Sequence, residues 1–243
     1  MDLAPGERAS AHRGAVQQSL SVALATGLYA VSFGALSVAA GLDLPQTMVL
    51  SLLMFSGGSQ FAFIGVIGAG GTAAAAVAAA SLLGARNGLY GPLVTPFTGA
   101  RGWRRALAAQ VTIDESTAVS TGQPTPAAAR TAFWWTGVGI FVLWNTFTLA
   151  GALLGDALGD PRRYGLDAAA AAAFLALLWP RLADRAARVV AALGMGVALA
   201  LTPLAPSGIP ILAAALVAIV IGWRRPPDAR TPHPRQPDAR EAA

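Results

Sequence analysis

Three clusters of polar residues interrupt a strongly apolar chain, and any chemistry it performs would sit there. The first is Ser56-Gly57-Gly58-Ser59-Gln60, between Phe55 and Phe61 in the middle of an apolar run from Thr47 to Ala69. Adjacent glycines weaken a helix, because glycine loses the most backbone freedom on ordering. A helix interrupted inside lipid leaves N–H and C=O groups that are costly unless protein, water or a substrate satisfies them. In transporters, half-helix ends of this kind bind charged substrate groups. Gly and Ser also let helices approach closely, so a packing seam is the competing reading.

The second cluster is Asp114-Glu115-Ser116-Thr117, inside the moderately apolar stretch Ala106 to Gly122. Adjacent carboxylates repel, and in a membrane or vestibule the pair would serve as a proton carrier or accept an ammonium group. On an interfacial helix of a cytoplasmic loop the same pair would be a solvated face, and the sequence supports both equally. The third cluster, Arg86-Asn87, closes the third apolar segment. An arginine there either snorkels to the interface as an anchor or offers its planar guanidinium to a carboxylate. Asp156, Asp160, Arg162 and Arg163 form a short loop of balanced charge, and Asp167 suits the start of the following helix.

Other chemistries are poorly provided for. There is no cysteine, and the two histidines, His12 and His233, lie near the ends, so no Cys/His metal centre or histidine-based nucleophile is expected. Without lysine there is no nucleotide-binding P-loop. A conduit or carrier with no metal or cofactor is the reading, rather than an enzyme. Two rivals remain: a membrane-embedded metal-dependent transferase built on Asp156 and Asp160, and a structural membrane subunit that transports nothing.

The elements that must position these residues follow from hydropathy. Of 243 residues, 55% are hydrophobic and 12% charged, with mean hydropathy +0.55. The 72 residues between Arg13 and Arg86 carry a single formal charge, Asp43, and the 35 between Arg188 and Arg224 carry none. A membrane-crossing helix needs about 20 apolar residues, so each stretch is long enough to cross twice. The expectation is an all-α polytopic transmembrane bundle of about seven hydrophobic segments, the second broken or re-entrant. They run from Val16 to Ala40, Thr47 to Ala69, Thr72 to Tyr90, Thr131 to Gly155, Leu166 to Pro180, Val189 to Leu204 and Ile209 to Trp223. Pro203, Pro206, Ser207 and Gly208 make the last two a tight hairpin. The first segment exceeds a secretory leader and shows no clear cleavage site, so it is kept as a mature helix. Residues 1–13 read as a polar N-terminal segment, 14–223 as the membrane domain and 224–243 as a disordered tail rich in Pro, Arg and Asp.

All 17 basic residues are arginine, clustered beside the apolar runs as topology signals. The pI near 10.9 and net charge of +5 therefore indicate membrane orientation rather than nucleic acid. Arg101, Arg104, Arg105, Arg181, Arg185, Arg188 and the tail should all be cytoplasmic. Seven full crossings would then leave the N-terminus outside; a re-entrant element among the first three segments is the other solution.

Four blocks make the chain resemble the AzlC family of branched-chain amino-acid permeases. They are Phe33-Gly34 with Gly41-Leu42, Ser51 through Phe55 to Phe61, Asp114 to Thr117, and Gly165-Leu166-Asp167 with Phe174 and Leu177-Leu178. The resemblance covers Gly14 to Trp223. It implies export of leucine, isoleucine, valine and related amino acids across the cell membrane, beside a small AzlD-like membrane subunit; a homo-oligomer is also compatible. Where the family commonly has Asn-x-Arg-His, this chain has Gly84-Ala85-Arg86-Asn87, so a proton-coupling role for that histidine does not carry over. The substrate is expected at Ser56, Gly57, Gly58, Ser59, Gln60, Phe61, Arg86 and Asn87, its carboxylate on the N–H groups and hydroxyls of Ser56 to Gln60 and on Arg86, and its ammonium on exposed carbonyls or on Asp114 and Glu115, the candidate proton-coupling pair.

Overall fold

The computed structural model describes residues 4–158, 175 and 178–224, and every regular element among them is helical. Seven helices fill the first part: α1 (Pro5–Ala39), α2 (Leu44–Leu53), α3 (Gly57–Gly68), α4 (Ala73–Thr98), α5 (Arg104–Gln110), α6 (Asp114–Thr121) and α7 (Pro126–Leu158). A 3-10 turn (Trp179–Ala183) then precedes α8 (Arg185–Leu201) and α9 (Ile209–Arg224). Two helical stretches are long and apolar enough to cross a bilayer, Gly6–Ala39 and Pro126–Gly155; Leu44–Leu53, Gly57–Gly68 and Ile209–Trp223 are shorter apolar helices.

The frame is the pair α1 and α7, packed along their length. Ala15 clusters with Ala128 and Ala132, Gly27 faces Leu143 and Gly155 faces Ala35, so the two helices run parallel. Glycines bring the backbones together. A Cβ on Gly34 would lie 2.1 Å from the Thr148 carbonyl oxygen, and one on Gly151 2.1 Å from that of Val31. Both contacts are below any real Cβ distance, so only glycine permits this approach.

Two helical hairpins enter this frame from opposite ends. At the entry to α2, Thr47 hydrogen-bonds Ser37 near the end of α1; deeper, Ser51 reaches Thr148 and Phe55 packs on Phe141. Gly57 then lies beside Tyr29, Phe61 packs on Phe33, and Gly68 returns to Ala40. The chain therefore turns back at residues 54–56 instead of continuing through. Asp43, the one charge of the long apolar stretch, caps this hairpin: its carboxylate accepts from the Gln46 N–H at 2.7 Å while the Gln46 side chain accepts from the Asp43 N–H. The second hairpin, α5–α6, starts where α4 ends. Val111 packs against Gly137, Ile113 reaches the cluster of Ile140 and Trp144, and Val119 returns to Ala15 and Ala128.

Several segment boundaries differ from those expected. The third segment does not close at Arg86-Asn87: α4 continues through Pro92 and Pro96 to Thr98, so both residues sit mid-helix. Prolines are tolerated in such helices where neighbours satisfy the freed backbone groups. Ala106 to Gly122 forms most of a hairpin that penetrates the core rather than a single interfacial helix. Residues 5–13 of the polar N-terminal segment form the beginning of α1. The Pro203–Gly208 run does form a tight turn, with Gly208 at φ +97 and Ser207 Oγ donating to the Ala69 carbonyl at 2.7 Å. Most of the fifth apolar segment, with Asp160, Arg162, Arg163 and Asp167, lies outside the described residues, as do the Asp156 side chain and residues 225–243.

Candidate functional site

Each hairpin tip is a break between two half-helices. At the first, Met54 leaves helical geometry (φ −91, ψ 53), Ser56 is extended (φ −156, ψ 100) and α3 starts at Gly57 with no side-chain cap. The first helical bond into Ser56 comes from the Gln60 N–H. The N–H groups of Gly57, Gly58 and Ser59 thus belong to the orphan donors of a helix start, where partial positive charge accumulates. On the other side of the break, the last carbonyls of α2 need donors. Leu50 and Met54 accept from the Met54 and Ser56 N–H groups, and the fully buried Gln60 adds its Nε2, which donates to Met54 at 3.1 Å, Leu50 at 3.3 Å and Ser51 at 3.4 Å.

The second tip is held by hydroxyls. Ile113 is extended (φ −128, ψ 176) ahead of α6, and the buried Ser116 Oγ accepts from the Ile113 N–H at 3.0 Å while donating to the Val111 carbonyl at 2.7 Å. Thr112 Oγ1 donates to the Ala108 carbonyl at 2.6 Å. Asp114 and Glu115 occupy the first positions of α6, where carboxylates suit the helix dipole. Arg86 of α4 pairs with Asp114, and Tyr90, one turn further along α4, donates to the same carboxylate.

Between the tips lies a hollow of about 20 Å³, room for about one water. Thr26 and Tyr29 of α1 and Ile140 and Trp144 of α7 form its walls. The first tip contributes Phe55 to Gly58, α4 contributes Arg86 and Asn87, and the second tip contributes Ile113 to Glu115. Among the described residues, three buried side-chain atoms of this lining have no hydrogen-bond partner: Arg86 Nε, Asn87 Oδ1 and Trp144 Nε1. Gly57 is pinned by the walls: a Cβ there would lie 2.9 Å from Trp144 Cη2 and 3.1 Å from the Tyr29 hydroxyl.

Of the residues expected at a site, Ser56, Gly57, Gly58, Arg86, Asn87, Asp114 and Glu115 meet on this hollow. Ser59, Gln60 and Phe61 do not line it. Ser59 faces a larger hollow behind the tip, Gln60 serves the α2 carbonyls, and Phe61 packs against Tyr29 and Phe33. Sequence reasoning did not single out Thr26, Tyr29, Tyr90, Ile140 or Trp144. Tyr90 alone had a signal, standing four residues after Arg86 and so on the same helix face.

The AzlC protein family model matches residues 21–158, which hold both hairpins, α4 and most of the α1–α7 frame. The chain belongs to the AzlC family. This AzlC-family chain is accordingly a membrane protein of a transport family rather than of an enzyme family. Among curated proteins and solved structures, none matches it. The matched region contains every residue of the central hollow, whereas α8 and α9 lie beyond it.

Proposed function

We propose that this protein exports branched-chain and related apolar amino acids, binding the substrate carboxylate at the start of α3 and its ammonium at Glu115. The observation that supports this reading is the convergence of an uncapped helix N-terminus, one arginine and two carboxylates on a single hollow between two hairpin tips. A free amino acid is a zwitterion with an apolar side chain, and each part has a counterpart here. The N–H groups of Gly57, Gly58 and Ser59 suit an anion. Arg86 and Asp114 neutralise each other, which leaves Glu115 as the acid to face an ammonium. Tyr29, Phe55, Ile113, Ile140 and Trp144 supply apolar surface.

One methylene in such a pocket discriminates by about 1–3 kcal/mol, so leucine, isoleucine and valine are all accepted. Efflux runs down the substrate gradient or exchanges a proton at the Asp114/Glu115 pair. The hollow has the volume of about one water, so loading an amino acid requires the tips to part. The small AzlD-like subunit implied by the resemblance is the partner. The start of α1, the α4–α5 junction, the starts of α7 and α8 and the end of α9 share the arginine-rich end, which faces the cytoplasm by the positive-inside rule. The α5–α6 hairpin is then re-entrant from inside and α2–α3 from outside.

The test is counterflow of labelled leucine in proteoliposomes, with and without the small subunit. Glu115→Gln removes a charged partner of the ammonium and raises KM about tenfold or more. A wild-type KM in that variant overturns the ammonium assignment.

A further inference from the structure

Gln110 lies outside the lining of the central hollow. It closes α5, and its Nε2 donates to the Leu52 carbonyl at 2.8 Å, joining one hairpin tip to the other. That carbonyl is one of the last four of α2, which no donor of a continuous helix reaches. In an unbroken helix the Ser56 N–H would serve Leu52; here it goes to Met54. Gln60 serves Leu50, Ser51 and Met54, and Leu52 is left to Gln110. The bond gives that carbonyl a donor and ties the two hairpins.

Its place gives the bond a further meaning. Gln110, Ser59, Ser81, Gly84 and Thr112 line a second hollow of about 430 Å³ behind the first tip. This larger hollow and the central one share Phe55, Ser56 and Asn87 as a common wall. The larger has room for a whole amino acid, the smaller for about one water. We infer that the Gln110–Leu52 hydrogen bond is a latch between the two hairpin tips at the edge of the larger hollow, closed in this structure and opened in each cycle so that the tips part and admit the substrate. The inference rests on the transport reading above. When the latch parts, the Leu52 carbonyl needs a new donor, and the ammonium of an entering amino acid has the chemistry to replace the amide.

The chain lacks cysteine, so single-cysteine reporters test this directly. Thr26→Cys reports on the central hollow and Ser81→Cys on the larger one, each read as the rate of modification by a cationic methanethiosulfonate in proteoliposomes. Gln110→Met keeps the bulk and removes the donor, and Gln110→Asn keeps an amide one methylene too short. Losing one neutral hydrogen bond shifts a closed–open balance about fivefold, so both variants should speed modification at Thr26→Cys by that factor. The rate at Ser81→Cys stays unchanged. Unaltered modification at Thr26→Cys overturns the latch, and so does equal acceleration at both positions, which marks general loosening. Selective acceleration in a protein whose parent shows no leucine counterflow upholds the latch and defeats the transport reading.

Discussion

Arg86 and Asp114 show how single residues in this chain depend on one another. Their side chains are 33% and 20% exposed, and they pair between α4 and the tip of the second hairpin with Tyr90 as a further donor. Removing either leaves a partly buried charge uncompensated, which costs more than the pair contributes. Arg86→Gln and Asp114→Asn should each lower the thermal midpoint of the purified protein. The double variant should recover part of the loss, with a coupling of about 1–3 kcal/mol. Additive losses would show that the pair acts independently. The sequence displayed these residues as isolated charges in apolar surroundings, which is why they stood out. It did not reveal their pairing, because 28 residues separate them. Gln60 stood out for the same reason, yet the structure puts it on the α2 carbonyls: a polar residue beside a helix break has the break itself to serve first. Trp144 and Ile140 carried no signal, since an apolar residue on an apolar helix looks alike whether it faces a hollow or a neighbour.

At the scale of elements, the two hairpins differ in how visible they were. The glycine pair marked the α2–α3 break to within a few residues, because each glycine weakens a helix by about 1 kcal/mol relative to alanine; the chain leaves helical geometry at Met54 to Ser56, just before the pair. The α5–α6 break has no glycine; it falls at Val111, Thr112 and Ile113 and is held by Ser116. Its half-helices have seven and eight residues, too short for a periodic pattern to define. Both hairpins rely on the close α1–α7 frame. Gly151→Ala places a Cβ within 2.1 Å of the Val31 carbonyl oxygen, where main chain cannot yield as a side chain does. Such overpacking costs about 1–3 kcal/mol or more, so this variant should show a clearly lower thermal midpoint. Gly65→Ala, with nothing within 4 Å of the added methyl, should not. Equal midpoints for the two would mean that the frame is looser than described.

The whole molecule offers a solution to a conflict that the sequence left open. Seven full crossings kept the arginine clusters together only by placing the N-terminus outside. In the arrangement proposed above, with both hairpins turning back, the start of α1 and the end of α9 share the arginine-rich end, and the clusters at Arg101 to Arg105 and Arg185 to Arg188 join them there. Hydropathy could not distinguish a hairpin from a crossing, because α2 and α3 together are apolar and long enough for one span. Activity reporters fused before Pro5 and after Arg224 should therefore both read cytoplasmic; opposite readings would contradict this arrangement. The central claim, that main-chain N–H groups at the start of α3 hold a zwitterion, is tested most directly by competition for leucine counterflow in proteoliposomes containing the small subunit. Isoleucine and valine should compete with labelled leucine, while leucinamide, which keeps the ammonium and side chain but has lost the carboxylate, should not. Leucinamide competing as well as leucine would contradict the account.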